Sequence, residues 1–422
     1  MEYADIAVTG AGPAGLFCAI HAAGLGVKVV LLEKNKEPGV KLKISGSGQC
    51  NLTHEGDIRT FFSRYGSHGT FLKPALMSFK NTDLIRFFNE RSLAMETTDN
   101  GKIFPVSHRA SDICNVLMAE CRNRGVTVLC GEPVNTVENT QTGFILHSPR
   151  HSIHVQSLVI STGGASYPKT GSTGDGYRIA ASLGHTITDI APALTPLIIA
   201  HFPFGDLAGI SFSPLAFSVR RNGKKVADRC GDVLFTHTGL SGPGILDCSR
   251  DILPGDTLYL SFAGPGTREE NDRKFLDLIQ HNPKKTIKSG LTSVNIPERL
   301  ARTLLDLAGI PADLTGAHLT AAQRTKLTGL MTEFPLEVAA PGDFSCAMVT
   351  KGGVQLDEVN PKTMESRRVP GLYFAGEVLD IDGDTGGFNL QAAFSTGFLV
   401  ARSIRVKMSE SQKNDPEPDK FR

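Results

Sequence analysis

The sequence predicts an α/β fold carried in two pieces, separated along the chain by a β-rich segment and then a helical one. Three observations predict this. The first residues read strand, glycine turn, helix, strand. Residues 192–263 change to short β-like runs with turns, and 264–333 to helical patterns. A strand and a final helix return near the end.

The elements follow in order. Residues 5–9 form a short apolar strand. Residues 16–23 form a helix of small side chains, stopped by Gly24 and Gly26, and 27–32 a buried strand; together they make a βαβ unit. Residues 82–96 and 110–124 have helical character, and "GVTVLC" returns as a strand. "TVENTQTGFILHS" and "HSIHVQSLVIST" read as a meander, and "SLVISTGG" ends in a second glycine turn before a helix near 176–183. In the middle, "FSVRRNGKKVADR" predicts a hairpin turning at Asn222-Gly223. "EENDRKFLDLIQ", "IPERLARTLLDLAG" and "TAAQRTKLTGLM" read as helices, and "FPLEVAAPGDFSCAMVTKGGV" as β again. A strand to Ala375 and a helix from about Asn389 close the framework. No internal repeat is visible.

Length and composition bound the function. A chain of 422 residues favours two or three structural units. A net charge of +1 gives the whole protein no strong pull on nucleic acid or anionic membrane. Among the 8 cysteines none are spaced C-x-x-C, so zinc ribbons and dithiol motifs are unsupported and no metal is expected. With no secretory signal and no apolar run near 18 residues, a cytoplasmic protein with reduced thiols is expected, and no membrane partner. The polar, proline-containing end, 409–422, is expected to be disordered.

The glycines cluster where chemistry is expected. Gly10-Ala11-Gly12-Pro13-Ala14-Gly15 matches G-x-G-x-x-G, follows a strand, opens a helix, and has Glu33 at the end of the next strand. Gly10 makes the turn, Gly12 admits a pyrophosphate and Gly15 lets helix pack on strand. The helix N-terminus faces the phosphates, and an acid at Glu33 favours ribose hydroxyls over a 2′-phosphate. The ligand is therefore FAD or NAD. No second fingerprint follows another strand, which argues against a nicotinamide-binding domain. "STGG" and "FAGE" each end a strand, and Gly376-Glu377 would meet the middle of FAD. Gly386-Gly387-Phe388-Asn389 would bring backbone to the isoalloxazine, with the last helix aiming its N-terminus at the ring.

Several motifs together carry a family resemblance: "TGAGPAGL", "KLKISGSGQCNLTH", "KIFPVSHRASD", "STGGASYPKTGSTGDGY", "FTHTGLSGPGIL" and "GGVQLDEVNPKTMESRRVPGLYFAGEVLDIDGDTGGFNLQAAFSTG". In this order, over about residues 4–405, they resemble the BaiN/RdsA family of FAD-dependent flavoproteins, also described as an aminoacetone oxidase family. The resemblance implies a discontinuous Rossmann-like FAD-binding domain with an inserted β-barrel and a helical subdomain. The expected parts are 1–191 and 346–408 for FAD, 192–263 with 334–345 for the barrel, and 264–333 for the helices. It also implies that Ala14 and Gly15 meet the pyrophosphate and Glu33 with Lys34 the adenosine ribose. Lys41, Ser45, Gly46 and Asn51 would lie along the flavin half, Val134 at the adenine, and Thr162 and Gly163 under the dinucleotide. Glu377, Asn389 and Leu390 would complete the site. Where the family pattern carries Arg, Gly and Arg, this chain has Val40, Ser47 and Gln49, which leaves the charge preference for substrate open.

The resemblance implies hydride transfer between flavin and a C=C or C–N bond. The implied substrates are a ribosomal RNA uridine, an unsaturated steroid acid or aminoacetone, with NADH or NADPH as a transient electron donor. Reduction of a double bond also needs an acid. Cys50, in the glycine loop, and His237, in the insertion, are the candidates; Lys102, His108 and Arg109 are further possible residues of the mouth. For RNA, the region 192–342 has 16 Lys+Arg against 15 Asp+Glu, so only local patches stand out. These are Arg220, Arg221, Lys224, Lys225 and Arg229 on the hairpin, and Lys284, Lys285 and Lys288. A flavin-binding protein with a sensory or structural role is the alternative of another class, and oligomeric state is left open.

Overall fold

The computed structural model describes residues 1–24, 26–264, 268–281 and 283–414. It divides into two compact units. Unit 1 comprises Met1–Ala193 and Ala347–Arg422, and unit 2 comprises Leu194–Cys346.

Unit 1 begins with β1 (Glu2–Thr9), α1 (Pro13–Ala22) and β2 (Val29–Glu33), followed by the short α2 (Val40–Ile44) and β3 (Thr53–His54). Next come α3 (Gly69–Ser78), α4 (Asn81–Asn89), β4 (Met95–Thr97), β5 (Lys102–Pro105), α5 (Ala110–Asn123) and β6 (Thr127–Cys130). The meander is β7 (Thr136–Thr140), β8 (Gly143–His147) and β9 (Ser152–Ile160), and α6 (Asp175–Ser182) and β10 (Ala191–Ala193) lead out of the unit. The helix expected over 82–96 ends early. Ser92 turns left-handed at φ 59, and residues 95–97 pair antiparallel with β5 instead. Short-range periodicity could not see this strand, because its partner lies in another part of the chain.

Unit 2 holds β11 (Leu197–Ile199), β12 (Ser211–Arg221), β13 (Lys224–Phe235), β14 (Gly239–Ser241), α7 (Pro243–Cys248) and β15 (Thr257–Ser261). Its helices are α8 (Arg268–His281), α9 (Ile287–Ser293), α10 (Glu298–Ala308) and α11 (Ala321–Thr332), before β16 (Phe334–Pro341). The strands close into a barrel in the order β11-β14-β13-β12-β15-β16. Asn222 and Gly223 have φ of 50° and 77°, the paired positive values that a two-residue hairpin turn needs. Inside, Phe204 and Phe235 stack with centroids 5.0 Å apart, and Leu300, Leu304 and Leu305 of α10 are fully buried. Helix α9, which the sequence reading missed, is capped by Thr286, whose hydroxyl accepts from the Ser289 amide.

The chain returns to unit 1 through β17 (Val349–Lys351), β18 (Leu372–Phe374) and α12 (Phe388–Asn414). The main sheet runs β6-β2-β1-β9-β8-β7. β9 is long enough to serve two partners on one edge: its first half pairs antiparallel with β8 and its last residues pair parallel with β18. The far end of the sequence is thus hydrogen-bonded into the N-terminal sheet. Phe17 of helix α1 is fully buried and edge-on to Phe79 at the end of α3, Phe87 of α4 and Phe394 of α12 at 4.9–5.1 Å, so α1 packs among these helices. The tail expected from residue 409 opens as the last turns of α12, and residues 415–422 lie outside the described residues. No helix among the described residues is long and apolar enough to cross a membrane.

Candidate functional site

The N-terminal turn is built for close approach. Gly10 sits at φ 94, and Pro13 opens α1 behind Gly12. A methyl on Gly15 would collide with the Gly10 carbonyl and the Ser161 hydroxyl. A methyl on Gly12 would meet nothing within 4 Å, so open space lies over the N-terminus of α1. Glu33, at the end of β2, is buried and accepts from the Ala11 amide at 2.8 Å and the Asn35 amide at 2.9 Å. Its two oxygens are thereby held in one orientation, with lone pairs left for ribose hydroxyls. Lys34 instead turns to Thr173 Oγ1 at 2.5 Å and Asp175 Oδ2 at 2.6 Å, tying β2 to the start of α6. The Val134 carbonyl accepts from Arg178 of α6 at 3.2 Å, which fixes the loop expected at the adenine.

The second cluster converges on the same place. Ala14 faces Gly376: a methyl added there would lie 2.9 Å from the Ala14 side chain. Gly376 donates to Thr396 of α12, so β18, α1 and α12 meet at this turn. Glu377 accepts from Lys41 Nζ at 2.9 Å, Ser166 Oγ at 3.0 Å and the Thr350 amide at 2.9 Å. Lys41 also donates to Ser166 at 2.8 Å. Lys41 and Glu377, expected as separate cofactor contacts, therefore form one partly buried ion pair that positions both. Thr162 and Gly163 follow β9. The Thr162 hydroxyl is packed against Gly176 of α6, buried and with no hydrogen-bond partner among the described residues, and Gly163 has φ 76.

The third part is the loop before α12. Asn51, with its amide oriented so that nitrogen donates to Thr53 and oxygen accepts from the Gly387 amide, ties the glycine loop 45–51 to Gly387. Ser45 caps α2 by donating to the Leu42 carbonyl at 2.7 Å, and Gly46 has φ 56 against the Asn51 amide. Gly387 lies against the Thr53 backbone, which a methyl would meet at 2.6 Å. The Phe388 carbonyl accepts from Tyr65 Oη at 2.8 Å. Asn389 accepts from the Gly383 amide at 2.8 Å and donates back to the Gly383 carbonyl, bracing residues 383–388. Leu390 packs partly buried against the core.

The candidate acids fare differently. Cys50 is fully enclosed, and burial pushes its thiol up to about 12, offset in part by a hydrogen bond with Ser45. A fully enclosed thiol is not open to a substrate in this structure, which weighs against Cys50 as the acid. Cys50 also has a left-handed φ of 61. His237 is exposed between β13 and β14 of unit 2. His108 is bound between Gln49 Oε1 at 3.2 Å and Glu96 Oε1 at 2.7 Å, Arg109 pairs with Asp112, and Lys102 stands opposite His54 across β3 and β5.

Four of the eight cations of the basic patches are paired with acids. Arg220 pairs with Glu333 at 2.9 Å and lies over the Tyr259 ring. Arg221 forks onto both oxygens of buried Asp256 at 2.8 Å, Lys225 pairs with Asp228, and Lys288 with Glu298. Among the described residues, no group of three or more His, Cys, Asp and Glu is arranged to hold a metal ion. Ser166, Thr350, Arg178 and Tyr65 were not anticipated. Ser166 sits inside the recognised glycine cluster and was legible there. The other three gave no local signal.

Comparison with known proteins adds a family. The family model described as "HI0933-like protein Rossmann domain" matches residues 4–403. The chain is 32% identical to the ribosomal RNA dihydrouridine synthase of Escherichia coli K12, covering 96% of this chain and 98% of that protein. It is 30% identical to the 3-dehydro-bile acid delta(4,6)-reductase of Clostridium scindens, covering 94% and 98%. Among solved structures, 3-ketosteroid delta1-dehydrogenase from Sterolibacterium denitrificans is similar, with a TM-score of 0.51 at 12% identity, covering 96% of this chain and all of that one. The likeness to that structure concerns the fold alone.

Proposed function

The chain belongs to the HI0933-like protein family, and is an FAD-dependent oxidoreductase; on that premise we propose that it reduces a carbonyl-conjugated C=C bond, with a uracil of ribosomal RNA as the first candidate substrate. The relatives' names support the reaction class, since dihydrouridine formation and bile-acid delta(4,6) reduction both saturate such a bond. The observation that carries the cofactor's placement is the open space over Gly12, bounded by the fixed Glu33 carboxylate and by the Gly376 turn against Ala14.

FAD supplies hydride chemistry when bound. The protein's part is to hold and orient it. The free amides at the start of α1 would take the pyrophosphate, Glu33 the adenosine ribose, and the loop at Val134 the adenine. The Lys41–Glu377–Ser166 cluster would lie along the middle. Gly387, Phe388 and Asn389 would bring backbone and the N-terminus of α12 to the ring. The substrate double bond gains one hydride and one proton, and NADH or NADPH restores the electrons.

A small unsaturated carbonyl compound is the second reading. It is favoured by the ion pairs that occupy Arg220, Arg221 and Lys225, three of the five cations of the hairpin, which reduce the charge it offers to phosphates. The experiment uses the full-length yellow protein, reduced anaerobically with dithionite. It is mixed either with an unmodified large-subunit ribosomal RNA transcript or with a 3-keto-4,6-diene bile acid. Reoxidation of the flavin with a gain of two hydrogens in the RNA supports the first reading, and the same gain in the bile acid alone supports the second. No product from either refutes the reaction class.

A further inference from the structure

Gln391 is an amide where packing alone would take a hydrocarbon. It lies in the first turns of α12, fully buried, among Phe388, Ala392 and Phe394 of the core. Burying an amide is costly unless its polar atoms are paired, and here they are. Its Oε1 accepts from Thr53 Oγ1 at 2.7 Å, and its Nε2 donates to the Phe79 carbonyl at 3.1 Å and to Ser395 Oγ at 2.9 Å. Ser395, one turn further along α12, donates to the same Phe79 carbonyl at 2.7 Å. A carbonyl oxygen only accepts, so the Gln391 nitrogen must face Phe79 and its oxygen the Thr53 hydroxyl.

These bonds join separate segments: Thr53 is in β3, Phe79 follows α3, and Gln391 is near the start of α12. Further contacts close a ring at the same point. The Thr53 carbonyl accepts from the Asn51 side chain, whose oxygen takes the Gly387 amide. The Gln391 amide donates to the Gly387 carbonyl at 3.0 Å, opening the ladder of α12. Gly387 is thus held by its N–H through Asn51 and by its C=O through Gln391, and both partners are anchored on Thr53. A satisfied buried polar network rigidifies one arrangement. This one fixes how the first turn of α12 stands against the glycine loop 45–51. The amides that precede Gln391 in that turn have no partner along the helix.

We propose that Gln391, acting through Thr53, is a positioning residue for the flavin. It holds the N-terminus of α12 toward the ring, where the positive end of the helix favours the more negative, reduced form. The inference rests on the flavin placement under Proposed function. It goes beyond a stabilising role for the network, because the flavin's potential must respond to a buried bond that is remote from the ring.

Gln391→Leu would strip every one of these side-chain bonds from the core at once, so the test is made on its partners. Thr53→Val keeps the branched shape of the side chain and removes the hydroxyl, whereas Thr53→Ser keeps the hydroxyl. Ser395→Ala, run in parallel, removes one of the two acceptors of the Gln391 nitrogen. The midpoint potential of FAD bound to the full-length protein is measured spectroelectrochemically, beside amide hydrogen exchange over residues 383–392 with and without FAD. In Thr53→Val, exchange at the start of α12 is expected to quicken. At a fixed potential its bound flavin is expected to be about threefold less reduced, a fall of about 15 mV for a two-electron couple. Ser395→Ala should move both in the same direction, and Thr53→Ser should restore both. Native exchange in Thr53→Val and Ser395→Ala overturns the proposal. So does quickened exchange at an unchanged or higher potential, which leaves the network a purely structural role. If FAD adds no protection to these amides in the native chain, the flavin placement itself fails, and the inference falls with it.

Discussion

Substituting Gly12 by alanine separates the site from the fold. Gly12 has φ −82 and ψ −175, an extended backbone that alanine adopts without strain. Its added methyl meets no atom within 4 Å. The flavin-free protein should therefore melt at the native temperature or slightly above, with a gain of at most about 0.4–1 kcal/mol from the stiffer unfolded chain. The methyl does occupy the space where the pyrophosphate approaches the α1 amides. Overpacking there costs about 1–3 kcal/mol, which weakens FAD binding roughly 5- to 150-fold at 1.4 kcal/mol per tenfold. Gly15→Ala is the contrast. Its methyl meets the Gly10 carbonyl, a backbone atom in the same turn, so the fold itself must give with or without cofactor. The assay is FAD titration by fluorescence quenching beside melting curves of the flavin-free proteins. Native FAD affinity in Gly12→Ala, or a loss of stability matching that of Gly15→Ala, would refute the placement.

Three further outcomes are expected. Gly387→Ala forces a left-handed alanine against the Thr53 backbone; strain of about 1–2 kcal/mol and displacement of about 1–3 kcal/mol should lower melting by on the order of 10 °C and release flavin, and a silent variant would show that the loop does not bear on β3. His185 is buried beside Glu358 at 3.0 Å, with Ser366 on its other nitrogen and Arg368 on Glu358. Burial holds His185 below the ordinary histidine value, although Glu358 pulls the other way. The unfolded chain then binds the extra proton first, so stability falls as pH drops below about 6.5. Melting temperatures of His185→Gln should fall less steeply than native over that window, and parallel curves would remove His185 as the cause. Arg221→Ala should lower the melting temperature of unit 2, because Asp256 is left buried without the guanidinium that mainly holds its carboxyl below the usual range. The same change should leave RNA affinity unaltered in a filter-binding assay; a marked loss of RNA binding would return Arg221 to the phosphate-binding reading.

Local chemistry along the chain determined the βαβ start, the Gly10–Gly15 turn with Glu33, the Asn222-Gly223 hairpin and helices α8, α10 and α11 of the insertion. Each is written in neighbouring residues: glycine where a turn or close approach admits no side chain, and periodicity where one face is buried. Tertiary structure alone decided three things. It bent residues 95–97 into a strand, by pairing them with β5. It paired Lys41 with Glu377, far apart in sequence and individually readable only as a cation and an acid. It enclosed Cys50. Sequence specifies which groups a residue can offer, but which groups are satisfied, buried or left free depends on partners brought together from distant segments.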